Sequence, residues 1–263
     1  MANNVNPIMQ RLTSRNASLR FLISAVIGLV LLSSVFSYIR FQSSPGGSDD
    51  NVSALGLLIF WLSNGSALLF SGPIAAFISA RDAQNEMYEL VRTTPLTNLN
   101  LINGYFFATL HRLRLLIVPA VGFSPFFLQH MIRWKLSIIN CTYVYNSPCR
   151  NMPDPLQTEW SLWALMLIEF AVGLWGATLL GIALGVGLGL LWRKVILVGV
   201  VALAFTAILW VAFGSAFSLL SSVNTQWLPI DGPNITVLTF YMITPYLLCL
   251  GVLAFANYKV RKV

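Results

Sequence analysis

The chain of 263 residues is 57% hydrophobic and only 10% charged, and its formal net charge is +7 at pH 7. Soluble domains are about 45–50% apolar and about 25% charged, so a soluble fold of this size could not bury so much apolar surface. This composition excludes a disordered chain, a disulfide-rich secreted miniprotein and a nucleic-acid-binding domain. Because the apolar runs are long and continuous, they predict an all-α integral membrane protein rather than a barrel.

Residues 1–20 predict an amphipathic helix that lies along the inner membrane surface. Asn6 and Pro7 are typical of a helix start, because Asn caps the helix and Pro fits its first position. Apolar residues such as Ile8 and Leu12 then recur at helical spacing between arginines, which favour anionic headgroups. A frayed basic tail that only sets the orientation is the alternative interpretation.

Six apolar runs are long enough for transmembrane helices, which need about 20 residues each. Pro119 and Pro125 predict interruptions in the third run, and the fourth is long enough to tilt or to project from the bilayer. The predicted spans are residues 21–39, 54–79, 115–131, 160–191, 195–220 and 237–256, which leave 80–114 and 132–159 as the longest connections.

The basic residues predict the orientation in the membrane. If the N-terminus is cytoplasmic, twelve of the 16 Lys and Arg residues lie inside and four lie outside. Basic residues accumulate in cytoplasmic loops of membrane proteins. We therefore expect a multi-pass protein of the cell membrane with both termini in the cytoplasm, 80–114 inside and 132–159 outside.

Two cysteines of the external loop, Cys141 and Cys149, are eight residues apart. An external compartment permits a disulfide, and a bond between them would close a short loop in a segment with little else to order it. Two free thiols are the alternative. Zinc binding is not expected, because no second pair of Cys or His residues lies nearby at ligand spacing.

The connection between spans two and three is the most distinctive part of the sequence. Residues 80–92 predict a polar helix, and Pro95 predicts a turn because it disfavours helical geometry at Thr94. Thr97 or Asn98 then provides the N-cap of a second helix that continues into the third span. We refer to residues 80–104 as the hairpin, and it is the natural docking surface for a partner.

The hairpin resembles the corresponding loop of ABC-transporter permeases of the type-two exporter class. The matching residues are Asp82, Glu89-Leu90, Thr94-Pro95-Leu96-Thr97 and Gly104, and the position of the loop and the count of six spans match too. The resemblance implies that the helix is a coupling helix, which binds a cytoplasmic ATPase subunit, and that 1–20 form an elbow helix. It also implies a second permease subunit, as a homo- or heterodimer. The coupling residues it implies are Asp82, Glu86, Glu89, Leu90, Arg92, Thr94, Pro95 and Leu96.

The sequence contains no motif that indicates an enzyme or a bound cofactor. No Gly-x4-Gly-Lys-Ser/Thr loop occurs, so any ATP must be bound by a separate subunit. The two histidines, His111 and His130, are about 28 Å apart along a helix, too far for one metal or one triad. We therefore expect no metal, no cofactor and no catalytic residues in this chain.

Glu169 is essentially the only ionisable residue inside a predicted span, and such residues are candidate sites because their burial is costly. It is expected either to contact a substrate headgroup or to pair with Arg133 or Lys135 near the outer surface. The alternative is an interfacial carboxylate that packs against a neighbouring helix and water.

The fourth span carries a small residue at every fourth position: Ala177, Gly181, Gly185 and Gly189. We call these four residues the glycine stripe. Small residues at this spacing allow a second helix to approach closely. The partner is expected to be a helix of the same chain, or else a second copy across a dimer seam.

The sequence as a whole predicts a permease subunit of an ATP-driven exporter that couples to a separate ATPase through residues 80–104. The alternative is a non-transporting membrane subunit that anchors or scaffolds a larger complex with the same surfaces. A third interpretation of the hairpin is that it only joins two spans.

Overall fold

The computed structural model describes residues 19–43, 51–84, 97–131, 160–192, 194–222 and 232–260. Within these ranges every regular element is a helix and no strand occurs, which confirms the all-α class for this part of the chain. The helices are α1 Leu19–Ser43, α2 Asn51–Gln84, α3 Asn98–Gly122, α4 Trp160–Trp192, α5 Val195–Ser222 and α6 Gly232–Val260.

Five helical stretches are long and apolar enough to cross a membrane by length and composition: Ala54–Gln84, Asn98–Met131, Ala171–Trp192, Val195–Ala212 and Met242–Lys259. In α1 the described apolar stretch, Ile23–Ile39, is shorter. The first predicted span, residues 21–39, is therefore not among these five, and six membrane spans remain a prediction. The predicted amphipathic segment falls on residues 1–18, outside the described part of the chain, apart from its end in α1.

Helices that are consecutive in the chain alternate in direction, as the contacts between helices show. The hydroxyl of Tyr105 in α3 contacts Asp82 of α2, whereas Phe127, beyond α3, stacks on Phe60 of α2. These two helices are therefore antiparallel. Helix α4 is parallel to α2, because Gly181 faces Ser71 and Gly189 faces Ser79. 

The same holds for the remaining helices. Helix α5 is antiparallel to α2: Thr206 bonds to the carbonyl of Leu69, while Val198, earlier in α5, packs on Ala76, later in α2. Helices α6 and α4 are parallel. Thus α1, α3 and α5 run one way and α2, α4 and α6 the other, so α2 ends and α3 begins at one end of the bundle, which we call the hairpin end.

Helix α4 lies at the centre of the bundle. It packs against α2, α3, α5 and α6. In its apolar stretch Ala171–Trp192, 72% is buried, compared with 17% in the apolar stretches of α5 and of α6. The face of α5 that points outward carries large apolar side chains, including Ile196, Ile208 and Val211. This distribution suits a bundle whose outer helices contact lipid.

The glycine stripe faces α2 of the same chain. A Cβ atom at Gly185 would lie 2.8 Å from the Cβ of Ala75, and one at Gly189 would lie 2.9 Å from the carbonyl oxygen of Ala76. Real Cβ atoms do not approach so closely, so both positions require glycine for this helix spacing. Small residues on α2, among them Ser79, provide the matching surface.

Helix α2 does not end where its hydropathy ends. The predicted span stopped at residue 79 and a separate polar helix was expected from 80, but α2 is continuous from Asn51 to Gln84. The reason is that backbone hydrogen bonds propagate a helix irrespective of side-chain polarity, so Arg81 and Asp82 extend α2 without breaking it. Helix α3 begins at Asn98 with Thr97 as its N-cap and continues into the predicted third span, as the sequence predicts.

Helix α3 is interrupted at Phe123, between the two prolines, before a short helix over residues 124–131. Pro125 has no N–H to donate to the carbonyl of Val121. The hydroxyl of Ser124 donates to that oxygen instead, at 2.7 Å, and the N–H of Phe126 bonds to Phe123.

Helix α1 packs on α3 at this interruption. The hydroxyl of Ser33 donates to the carbonyl oxygen of Gly122 at 2.6 Å, and that of Ser37 lies 2.6 Å from Oε1 of Gln129. Gly122 is close to Leu29, so a side chain there would collide with α1. The serines of α1 therefore donate hydrogen bonds to backbone carbonyl groups at the interruption. Such groups need a partner because no water is present in the apolar part of a bilayer.

Candidate functional site

Most predicted coupling residues lie in 85–96, outside the described residues. These are Glu86, Glu89, Leu90, Arg92, Thr94, Pro95 and Leu96. The structure describes both ends of the hairpin, residues 80–84 and 97–104, and Asp82 within them. The candidate site is therefore the base of the hairpin, where α2 ends and α3 begins.

Asp82 is bonded across the base of the hairpin. Its Oδ2 accepts a hydrogen bond of 3.0 Å from the hydroxyl of Tyr105, whose side chain is only 1% exposed. Asp82 itself is half-buried in the last turns of α2. Hydrogen bonds to a charged acceptor are stronger than neutral ones, so this bond ties α2 to α3 at their adjoining ends.

Thr97 begins the second arm of the hairpin as the N-cap of α3. Its backbone is extended, and its hydroxyl oxygen accepts a hydrogen bond of 3.3 Å from the N–H of Asn100. The N–H of Leu101 bonds to the carbonyl of Thr97. A threonine at this position satisfies a helix-end donor locally, which explains why α3 starts after the turn that Pro95 predicts.

The base of the hairpin forms part of the largest described core. Ile102 and Tyr105 of α3 are buried together with Ile182 and Val186 of α4 and with Ala256 of α6. The ends of the hairpin are therefore part of the same packed core as the central helix α4.

The outer surface of the hairpin base is exposed. Arg81 and Gln84 on α2 and Leu99 and Asn100 on α3 point away from the core. Leu99 is 51% exposed and is the apolar member of this outer surface. Among the described residues, the base therefore has an inner face that packs on the bundle and an outer face that points away from it.

The two histidines are separated along α3 and its continuation. His111 lies near the middle, where Nε2 accepts a hydrogen bond of 2.6 Å from the guanidinium of Arg114, since an arginine can only donate. His130 lies at the far end of the same helical stretch. Among the residues with described side chains, no group of three His, Cys, Asp or Glu residues could hold a metal ion.

Two other predicted sites, the disulfide and the intramembrane carboxylate, lie beyond the described side chains. Cys141 and Cys149 fall in 132–159, and Glu169 is on α4 in a stretch for which only the backbone is described. Cys249 is buried in α6 and is a free thiol. The stripe residues Ala177, Gly181, Gly185 and Gly189 lie on the α2–α4 contact and away from the base of the hairpin's outer face.

Two features of the structure have no counterpart in the sequence predictions. Tyr105 as the partner of Asp82 carries no local signal, because the two residues are 23 positions apart. The bonds from Ser33 and Ser37 to α3 are the second feature. For this second feature, Pro119 and Pro125 indicate that some backbone carbonyl groups of α3 need other donors. They do not indicate that α1 provides these donors.

The described base of the hairpin connects helices by polar and apolar contacts. Its polar contacts join helices, its apolar contacts reach α4 and α6, and its outer face is free of the core. No protein-family model, no curated protein and no solved structure matches the chain. The functional evidence is thus the geometry of residues 80–84 and 97–105 together with the sequence of the hairpin between them.

Proposed function

We propose that the protein is the permease subunit of an ATP-driven exporter of the ABC type. A separate cytoplasmic ATPase subunit binds the hairpin, residues 80–104, and a second permease subunit completes the complex. The chain itself binds no nucleotide. ATP-driven closure of the ATPase displaces the hairpin and, through it, the helices that line the path of the substrate.

The observation that carries this proposal is the double attachment of the hairpin base. Tyr105 bonds to Asp82 and so joins the two arms, while Ile102 and Tyr105 pack on α4 and α6. A hairpin with unconnected arms would bend under load, whereas these arms are bonded to each other and pack on two further helices, α4 and α6. Such an attachment supports a lever more than a simple connection between spans.

The sequence of the hairpin supports the same role. Glu86 and Glu89 provide acidic side chains for a basic groove on a partner, and Pro95 shapes the turn between the arms. The exposed Leu99 supplies an apolar contact beside them. The resemblance to type-two exporter permeases, in Asp82, Leu90 and the run from Thr94 to Thr97, adds to this support.

The test is to separate ATP hydrolysis from transport in the intact complex. Glu89→Arg and Pro95→Ala are expected to leave the complex folded but to uncouple hydrolysis from substrate movement, because the contact or the angle of the lever changes. ATPase activity of reconstituted vesicles, measured with and without substrate, gives the readout.

Matched controls lie in the predicted external loop. Asp154→Arg makes the same kind of charge reversal as Glu89→Arg, and Pro155→Ala removes a proline from a loop far from the ATPase; both are expected to preserve coupling. Normal transport-coupled ATPase activity in Glu89→Arg and Pro95→Ala would overturn the lever.

A scaffold or anchoring subunit is the second candidate, and one observation favours it. All buried polar side chains in the described part of the chain are neutral, such as Asn64 and Gln129, so no charged group has been found that would handle a polar substrate. Purification in mild detergent with mass spectrometry of the bound proteins distinguishes the two. A stoichiometric ATPase lost on replacement of residues 80–104 supports the exporter, and stable partners of another kind support the scaffold.

A further inference from the structure

A groove of about 610 Å³ lies outside the core, between the last described residue of α2 and the first turns of α5. Its lining divides into two parts. Gln84 and Lys194 form a polar end, and the apolar wall is formed by α5 residues that include Val195, Ile196, Val200 and Val201. Small-molecule sites typically have volumes of about 300–1,000 Å³, so the groove is large enough for part of a lipid.

We propose that this groove binds one anionic phospholipid. The phosphate of the headgroup lies at the ammonium of Lys194 and the amide of Gln84, and an acyl chain extends along α5 past Val200. This inference does not depend on transport or on an ATPase, since it concerns the contact of the bundle with its bilayer.

Charge and position select an anionic lipid as the occupant. Lys194 is exposed at the start of α5, on the side of the membrane where the sequence concentrates its basic residues. Lysines at such positions attract anionic headgroups within a Debye length. A zwitterionic lipid presents the same acyl chains but no net negative charge for the lysine.

The apolar wall gives the site its second requirement. Ile196 is 84% exposed and Val200 is 63% exposed, so α5 presents aliphatic side chains beside the polar end of the groove. A soluble anion such as inorganic phosphate would contact only Lys194 and Gln84 and would leave this wall uncovered. An amphiphile contacts both parts, because its charged headgroup can lie at Lys194 while its apolar chain lies on the aliphatic side chains of α5.

The chain provides a matched control for the lysine. Lys259 is a basic residue in the last turn of α6, and its ammonium lies 5.9 Å from the centre of the Phe255 ring. A cation over an aromatic face already has a favourable electrostatic contact. Lys259→Gln therefore removes the same charge as Lys194→Gln, without affecting the groove.

The experiment measures lipid binding to the full-length protein by native mass spectrometry. The protein in detergent is titrated with phosphatidylglycerol or with phosphatidylcholine of identical acyl chains. Lys194→Gln is expected to weaken binding of the first phosphatidylglycerol about fivefold, the factor typical of one basic residue at an anionic surface. Lys259→Gln is expected to leave this first binding step unchanged.

A second pair of variants tests the groove itself. Val201→Phe fills the groove and is expected to weaken the first phosphatidylglycerol, whereas Leu203→Phe, on the same helix but outside the lining, is not. Thermal unfolding in detergent checks that all four variants remain folded.

Three results would overturn the proposal. Equal binding of phosphatidylcholine and phosphatidylglycerol would show that charge plays no part. An effect of Lys194→Gln without one of Val201→Phe would show a surface charge and no groove site. Loss of a dimer peak in Val201→Phe, with lipid binding unchanged, would assign the groove to a second copy of the chain.

Discussion

Asp82 and Tyr105 illustrate how one hydrogen bond defines the hairpin end of the bundle. The phenol ring is buried among α2, α3 and α4, yet its hydroxyl reaches the carboxylate at the surface of α2. A buried tyrosine commonly places its polar end on a partner in this way. The aromatic ring thus packs in the core, and the hydroxyl group fixes the end of α2 against the beginning of α3.

Tyr105→Phe is expected to lower the free energy of unfolding by about 1.5–3 kcal/mol, the range for a hydrogen bond to a charged group. The phenylalanine ring retains the packing, so the loss reports the hydroxyl alone. Unfolding of the purified protein in detergent or in a lipid disc provides the measurement.

Two further variants limit the interpretation of that result. Tyr105→Ala also removes the ring and is expected to cost more, about 3–5 kcal/mol, because it leaves a cavity. Tyr246→Phe removes a hydroxyl that bonds to the carbonyl of Val172 and is a neutral-acceptor comparison. If Tyr105→Phe were no more costly than Tyr246→Phe, the bond to Asp82 would have no special strength.

At this scale the sequence predicts contacts that are local in the chain. Thr97 as an N-cap is local, because the residues that it bonds to are within four positions. The partner of Asp82 is not, since its identity depends on the register of α3 against α2. Asp82 is predicted from its place in a motif with a docking role, and nothing in that motif indicates a bond between Asp82 and Tyr105.

The α1–α3 contact shows how elements compensate for each other's defects. Pro125 interrupts the backbone ladder of α3, and Ser33 of α1 donates to the carbonyl of Gly122, which a regular helix would bond to the N–H of Phe126. The interruption and the serine should therefore be energetically coupled.

A double-mutant cycle tests this coupling. Ser33→Ala alone is expected to cost about 0.6–1.7 kcal/mol, the range for hydrogen bonds between membrane helices. With Pro125→Ala, the N–H of Phe126 is free to return to Gly122, so Ser33→Ala should then cost clearly less. The unfolding free energies of the two single variants and the double variant give the interaction energy.

Ser34→Ala provides the control for this cycle. The hydroxyl of Ser34 bonds to the carbonyl of Val30 within its own helix, so its removal should neither destabilise α1 packing nor couple to Pro125. Strict additivity of Ser33→Ala and Pro125→Ala would show that α1 does not compensate for the interruption.

At the scale of elements, periodicity in the sequence predicts a close approach but not its partner. The four-residue spacing of Gly181, Gly185 and Gly189 indicates a helix contact, and α2 meets it with the same spacing of Ser71, Ala75 and Ser79. That complementary spacing is visible only when the two helices are compared. Hydropathy predicts which residues lie in the bilayer and not where a helix ends, whereas the start of α3 at Asn98 is predicted by its N-cap, Thr97.

For the whole molecule, the alternation of helix directions gives a testable topology. The hairpin end, with Arg81 and Asn100, is predicted to be cytoplasmic, and Cys141 and Cys149 are predicted to be external. In intact cells, a membrane-impermeant maleimide should label the native cysteines only after reduction, if they form a disulfide. A cysteine at position 81, with Cys141 and Cys149 replaced by serine, should be labelled only after permeabilisation.

Labelling of the native cysteines from outside without reduction would leave the topology intact and exclude the disulfide. Labelling of position 81 in intact cells would instead reverse the orientation. Asn100→Cys in the same background is a second test. Residue 100 lies at the start of α3, at the same end of the bundle as residue 81, so it should also be labelled only after permeabilisation.

The position of α1 has a consequence for the order in which the protein is assembled. Its extensive contact within the described bundle is with α3, which is synthesised only after α2 and the hairpin. Since α1 precedes α2 and α3 in the chain, it lies in the bilayer without this partner until α3 is inserted. The hydroxyls of Ser33 and Ser34 have an interim acceptor, the carbonyl of Val30 in their own helix, at 3.0 and 2.7 Å. The hydroxyl of Ser33 also lies 2.6 Å from the carbonyl oxygen of Gly122 in the folded bundle, so we expect Val30 to be its acceptor before α3 is inserted and Gly122 afterwards.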